Sequence, residues 1–131
     1  MITESIMCLA LNVYFEARSQ SLTEQIAVAE VVMNRVESPY YPDTVCDVVW
    51  HNKYPNRLHK CQFSWACDGR SDRPREKKAW ATAQEVAAGV FSGRTQRVAE
   101  GAIYYHAHYV QPYWASSQTR IKRIGAHIFY R

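Results

Sequence analysis

Ile6, Leu9, Ala10 and Val13 recur at the spacing of one helix face, and Thr3 stands ahead of them where an N-capping hydroxyl belongs. The pattern runs to about Ala17 and predicts a first helix that Glu16 closes. After polar punctuation at 19 to 21, Ser21-Leu-Thr-Glu24 forms a capping box before Ile26, Ala29, Met33 and Val36, which predicts a second helix to about Val36. Ser38-Pro-Tyr-Tyr-Pro42 is a breaker, and Thr44 is placed to cap the short apolar run Val45 to Trp50. From His51 to Arg73 no period is visible, so that stretch reads as irregular. Asp72 and Pro74 open a third long helix, with Ala79, Ala83, Val86 and Val90 on one stripe, Trp80, Ala87 and Phe91 beside it, and Ser92-Gly93 as its end. The tail changes character: Ala102 to Tyr105 and His127 to Tyr130 are β-prone runs of aromatic and branched residues, separated by a polar, aromatic-bearing loop. These residues predict an α+β chain, mostly helical, with a small β element near the C-terminus. No repeat, low-complexity tract or linker interrupts it, and 131 residues suit one domain, 1–131.

Composition sharpens this in two places. Hydrophobic residues at 47% and charged residues at 21% are ordinary for a soluble domain, but 13% aromatic is rich, so the rings either fill the core or line a groove for sugars or bases. A formal charge of +4 favours polyanions without choosing among them. Arg70, Arg73, Arg75, Lys77 and Lys78, and later Arg120, Lys122 and Arg123, sit in no nucleic-acid motif; they read as solvated surface, and nucleic acid is not expected as a partner. The N-terminal stretch lacks a basic region, and no apolar run approaches membrane-spanning length, so neither an export signal nor a stable membrane insertion is expected. Cys8 falls within the apolar helical pattern and reads as a small core residue. Cys46 bridged to Cys61 or Cys67, or those two bridged to each other, would pin the segment between them in an oxidising compartment. His51, His59 and the cysteines are metal-ligand types, but no CxxC or HxxxH spacing appears, so neither metal nor other cofactor is expected.

Three groups of residues carry candidate chemistry. Glu16 follows Val13-Tyr-Phe at a helix end, where partial burial would keep a carboxyl protonated at neutral pH, as a general acid requires; the bland alternative is a solvated side chain or a pair with Arg18. Gln62, Phe63, Ser64 and Trp65 combine an amide, a hydroxyl and two rings suited to acetamido groups and sugar faces, although strand-like alternation would send Phe63 and Trp65 into the core and leave Gln62 and Ser64 outside. Tyr104 and Tyr105 alternate, so one ring is expected inward and the other toward a cleft, where its hydroxyl can position Glu16 or a bound ligand. His106 with His108 and His127, Trp114 as a stacking wall, and Lys122 and Arg123 facing substrate carboxylates complete the candidates.

Asn12-Val-Tyr-Phe-Glu-Ala-Arg18 followed by Gln25-Ile-Ala-Val-Ala-Glu-Val-Val-Met-Asn-Arg-Val36 closely resembles the SleB-type cell wall hydrolases, the spore-cortex-lytic family. Lys60 to Gly69, Gly101 to His106 and Ile124 to Tyr130 look like later blocks of the same family, in the same order, and together the blocks span nearly the whole chain. The resemblance implies a single lysozyme-like domain in which Glu16 is the catalytic acid, His106 belongs to a family block, peptidoglycan glycan strands are the substrate, and lytic transglycosylation is the activity. One departure stands out. Family members often read Glu-Ala-Arg-Gly-Glu, whereas this chain has Ser19 and Gln20, so a second acid is missing there. That suits a mechanism with one carboxylate; a hydrolase would need Asp43, Asp47, Asp68 or Glu100 brought opposite Glu16. The implied site of action is the cell wall, in the periplasm or outside the cell. With no leader visible, either release from the cytoplasm is expected, through a holin if the chain is phage-derived, or a leader that this sequence does not include. A cysteine–histidine peptidase acting on the wall peptides and a non-catalytic wall-binding module are the rival readings.

Overall fold

The first three helices each begin at the hydroxyl placed for them. Thr3 Oγ1 accepts from Ile6 N at 3.2 Å, Ser21 Oγ from Glu24 N at 3.2 Å and Thr44 Oγ1 from Asp47 N at 3.1 Å, each satisfying one of the N–H groups a helix start leaves open. In the computed structural model, which describes residues 3–52 and 61–131, they give α1 (Glu4–Ala17), α2 (Leu22–Val36) and the short α3 (Val45–Val49). A 3-10 turn at Ser64–Cys67 follows, then α4 (Lys77–Phe91), β1 (Tyr104–Ala107), a second 3-10 turn at Ala115–Ser117, β2 (Arg120–Ile124) and β3 (His127–Tyr130). The chain is mostly helical with a small sheet near its C-terminus, the α+β class expected of it.

Helix α4 starts later than Asp72 and Pro74 suggest, and the reason lies far away in sequence. Tyr14, on α1, accepts at its hydroxyl from Arg75 N at 3.1 Å and Glu76 N at 3.0 Å. These bonds hold the approach to α4 outside the helix and replace a local side-chain cap, which Glu76 does not provide.

Helix α1 packs against α2, α3 and α4. Leu9, Val13 and Tyr14 from α1, Val32 from α2 and Val48 from α3 are buried in one cluster with Phe63, Trp65 and Val86. Each such aliphatic side chain contributes about 1.5–3 kcal/mol when removed from water. Ala27, Val28 and Val31 on α2 form a second cluster with Ala99, Ala102 and Phe129, which seats the sheet on that helix.

The sheet has three strands in the order β1-β3-β2, all antiparallel, with Tyr105 opposite Phe129 and His106 opposite Ile128. The sequence predicts only two of them. Strand β2, Arg-Ile-Lys-Arg-Ile, reads as polar loop because it is an edge strand with three exposed basic residues, which also discourage pairing with other chains.

Polar side chains on α2 lock the helix to the C-terminal half. Glu30 accepts from Val98 N at 2.8 Å, Asn34 Nδ2 donates to Ala102 O at 2.8 Å, and Arg35 Nε donates to Ile103 O at 2.8 Å. Glu24, 1% exposed, accepts from Ala126 N at 3.1 Å and from the His127 ring. The capping box is therefore only half made: Ser21 caps, and the Glu24 carboxylate serves the β2–β3 turn. Gly125 lies in that turn at φ +56°, where a Cβ would collide with the Glu24 carboxylate.

Cys8 is not a free core thiol. It is bonded to Cys46, tying α1 to α3 with 5.3 Å between Cα atoms. Cys61 and Cys67 pair with each other across the segment that contains Gln62 to Ala66.

Candidate active site

Glu16 lies in the last turn of α1, where the backbone carbonyls of the helix end disfavour a negative charge. Tyr105, one residue into β1, donates its hydroxyl to Glu16 Oε1. Burial raises the Glu16 carboxyl above its ordinary pKa, and the Tyr105 hydrogen bond and the charges of His127 and Arg35 only partly offset this. Burial and the neighbouring Glu16 push the Tyr105 phenol well above its usual value despite Arg35 and the Asn12 amide, so Tyr105 remains a donor. The alternative pair of Glu16 with Arg18 is not formed: Arg18 meets Glu76 at 3.9 Å on the surface and lies 4.9 Å over the Tyr14 ring.

Glu16 and Tyr105 stand where two clefts meet. One, of about 520 Å3, is lined by Glu16 with Phe15, Ser64, Trp65, Asp68 and the arginines of 70 to 75. The other, of about 640 Å3, is lined by Tyr105 with Arg35, Tyr41, Gln62, Tyr104, His106, Trp114 and Gln118. Since Tyr105 touches Glu16, the two clefts lie on either side of the Glu16–Tyr105 pair, an arrangement suited to an extended ligand.

The remaining sequence candidates divide between path and support. Gln62 and Ser64 are exposed, one on each cleft, while Phe63 and Trp65 are buried at 3% and 6%. Phe63 is thus a core ring, not a groove wall, as alternation along the segment allows. Trp65 donates its Nε1–H to Asn12 Oδ1 at 2.9 Å and stacks on Phe15 at 4.9 Å, so it shapes the first cleft from beneath. Tyr104 packs on Trp114 at 5.5 Å, and both line the second cleft. His106 also lines it, but both its ring nitrogens are engaged: Nδ1 donates to Ala107 O at 2.8 Å, and Nε2 accepts from the Tyr130 hydroxyl at 2.7 Å. His127 is buried against Glu24, and Lys122 and Arg123 are exposed on the edge strand. His59, weighed as a metal ligand, lies outside the described residues.

Asp68 shares the first cleft with Glu16; Asp43, Asp47 and Glu100 do not line it. Asn12 and Arg35 were not singled out from sequence as site residues. Both lie within the family-like blocks, and being polar on helix faces that pack inward was the available signal. All four cysteines are bonded in pairs, so no thiol is available for cysteine peptidase chemistry.

Comparison with known proteins supplies relatives. The model of the cell wall hydrolase family matches residues 19–130. A spore cortex-lytic enzyme of Halalkalibacterium halodurans is 33% identical over 125 residues, covering 95% of this chain and 34% of that protein. One from Bacillus subtilis is 32% identical over 126 residues, covering 95% and 36%. The chain therefore spans about a third of the length of these relatives. Among solved structures, the catalytic domain of the germination-specific lytic transglycosylase SleB from Bacillus anthracis superposes with a TM-score of 0.73 at 27% identity, covering 100% of this chain and 97% of that one. The catalytic domain of the Bacillus cereus SleB protein gives 0.72 at 28% identity, covering 100% and 93%.

Proposed function

The chain belongs to the cell wall hydrolase family, and from that premise we propose that it cleaves the glycan strands of peptidoglycan between N-acetylmuramic acid and N-acetylglucosamine, with Glu16 as acid and then base. The observation that carries this reading is the enclosed Glu16 carboxyl, held by Tyr105 at the junction of two clefts, with a pKa raised by burial. A carboxyl that keeps its proton near neutral pH is what departure of an alkoxide leaving group needs. The similar catalytic domain of SleB from Bacillus anthracis, a germination-specific lytic transglycosylase, supports the reaction class.

In the proposed reaction Glu16 gives its proton to the glycosidic oxygen as the bond from that oxygen to the muramyl C1 breaks, and the glucosamine residue leaves with a new hydroxyl. The substrate's N-acetyl carbonyl supports the positive charge at C1. Glu16, now ionised, takes the proton of the muramyl C6 hydroxyl while O6 bonds to C1, which gives a 1,6-anhydro end, consumes no water and restores the acid. Tyr105 occupies Oε1 and so leaves Oε2 to handle the proton. One observation favours a second reading: Asp68 lines the same cleft as Glu16, and a carboxylate opposite the acid would permit hydrolysis.

Glu16→Gln keeps the shape of the side chain and removes the transferable proton, so lysis of purified sacculi should fall at least about 100-fold with the fold intact by circular dichroism. Retained lysis in the folded variant would end the assignment. Mass spectrometry of the products separates the two chemistries: anhydromuramyl ends mark transglycosylation, and reducing ends mark hydrolysis.

A further inference from the structure

Arg35 is 5% exposed, and no carboxylate among the described residues lies in ion-pair range of it. The segment 53–60 holds no acidic residue either. Its guanidinium is clamped between two rings, 4.8 Å from the centre of Tyr41 and 5.1 Å from that of Phe63. Its Nε is spent on Ile103 O at 2.8 Å, and its Nη1 has no hydrogen-bond partner among the described residues. A buried cation with no carboxylate in contact and incomplete hydrogen bonding is costly by several kcal/mol, so such groups are kept where something else completes them.

The surroundings say what that would be. Arg35 lines the second cleft, and among the described residues that line it no other is formally charged; Gln62, Tyr104, Trp114 and Gln118 are neutral. A ligand entering there meets the fixed positive charge of Arg35, and the guanidinium fork suits a planar acyl group. Resting on the proposed glycan substrate, whose acidic feature is the lactyl arm of the muramyl sugar, we infer that Arg35 receives the acyl oxygen of that arm and so fixes which sugar sits in the second cleft. A glucosamine residue has no such arm, so Arg35 distinguishes the two alternating sugars and sets the register of the strand across Glu16.

The test uses the Glu16→Gln chain, so that ligand is bound and not consumed, and two peptide-free tetrasaccharides measured by calorimetry. One alternates N-acetylglucosamine with N-acetylmuramic acid; the other contains N-acetylglucosamine only. The muramyl tetramer should bind about ten-fold more tightly or better, the worth of one charge-assisted hydrogen bond. Adding Arg35→Lys should abolish that preference and leave affinity for the glucosamine tetramer unchanged, because one ammonium can serve Ile103 O or the ligand but not both. Equal loss on both tetramers, or no loss on either, would overturn the inference. If Arg35→Lys does not fold, a crystal structure of Glu16→Gln with the muramyl tetramer decides: the lactyl oxygen within hydrogen-bond distance of the Arg35 guanidinium supports it, and an arm directed elsewhere refutes it. Failure of the underlying reading looks different: Glu16→Gln binds neither tetramer and the unmodified chain releases no glycan product.

Discussion

A carboxyl placed at the carbonyl end of a helix and partly withdrawn from water, with one face on a cleft, holds its proton for reasons that are separable by mutation. Burial raises the Glu16 pKa, and the Tyr105 hydroxyl, which favours the ionised form, pulls it partly back. Tyr105→Phe should therefore move the alkaline limb of the pH–rate profile to higher pH while lowering the maximal rate about ten-fold, since a hydrogen bond to a developing carboxylate is lost. A limb that shifts toward acid would contradict the assigned direction of that bond. Stability follows the same chemistry. The folded carboxyl has the higher pKa, so its stabilising protonation is complete below the unfolded carboxyl's ordinary pKa and is lost as pH rises through the raised folded value. Urea denaturation should show Glu16→Gln gaining stability relative to the unmodified chain as pH rises above the ordinary carboxyl range, because the amide has no proton to lose. A difference between the two chains that stays constant with pH would count against a perturbed Glu16.

At the scale of elements, what could be read in sequence is what the sequence decides locally. Thr3, Ser21 and Thr44 cap their own helices, so α1, α2 and α3 were legible to within a residue or two. What was not legible depends on distant partners. The start of α4 is set by Tyr14, the role of Glu24 by the β2–β3 turn, and strand β2 by pairing with β3, since Arg120, Lys122 and Arg123 give it no apolar alternation. The site divides in the same way. Glu16 was named through the family-like block, whereas Arg35 becomes visible only when Tyr41, Phe63 and Ile103 are brought around it. The α1–α2 junction carries a local departure with a measurable effect. Ser19 sits at φ +73°, the left-handed region where a Cβ is strained. Ser19→Gly should stabilise the domain by about 0.5–1 kcal/mol after allowing for glycine's greater chain entropy, a rise of about 3 °C in Tm by calorimetry. A fall in Tm would show that the serine is held by contacts that outweigh the strain.

Over the whole molecule the two disulfides act on different things. Cys8–Cys46 closes a long stretch, with a sequence separation of 38, and staples the helix bearing Glu16 to α3. By chain entropy it is worth about 4 kcal/mol, a large share of the 5–15 kcal/mol that ordinarily holds a domain together. Cys61–Cys67, separated by 6, is worth about 2 kcal/mol on the same basis, but its ring contains Gln62 on one cleft and Ser64 and Trp65 on the other. The two readouts should therefore rank the bridges in opposite order. Replacing Cys8 and Cys46 together with alanine should cost more in Tm and leave lysis at low temperature nearly intact, since Glu16 lies two turns along α1 from Cys8 and keeps Tyr105. Replacing Cys61 and Cys67 together should cost less in Tm and more in lysis, because the segment that joins the two clefts loses its closure while the core behind it stays packed. If the Cys61 and Cys67 substitutions proved worse by both measures, that bridge would be a staple of the fold and not a brace of the site; if the Cys8 and Cys46 substitutions did, the bridge at 61 and 67 would brace neither.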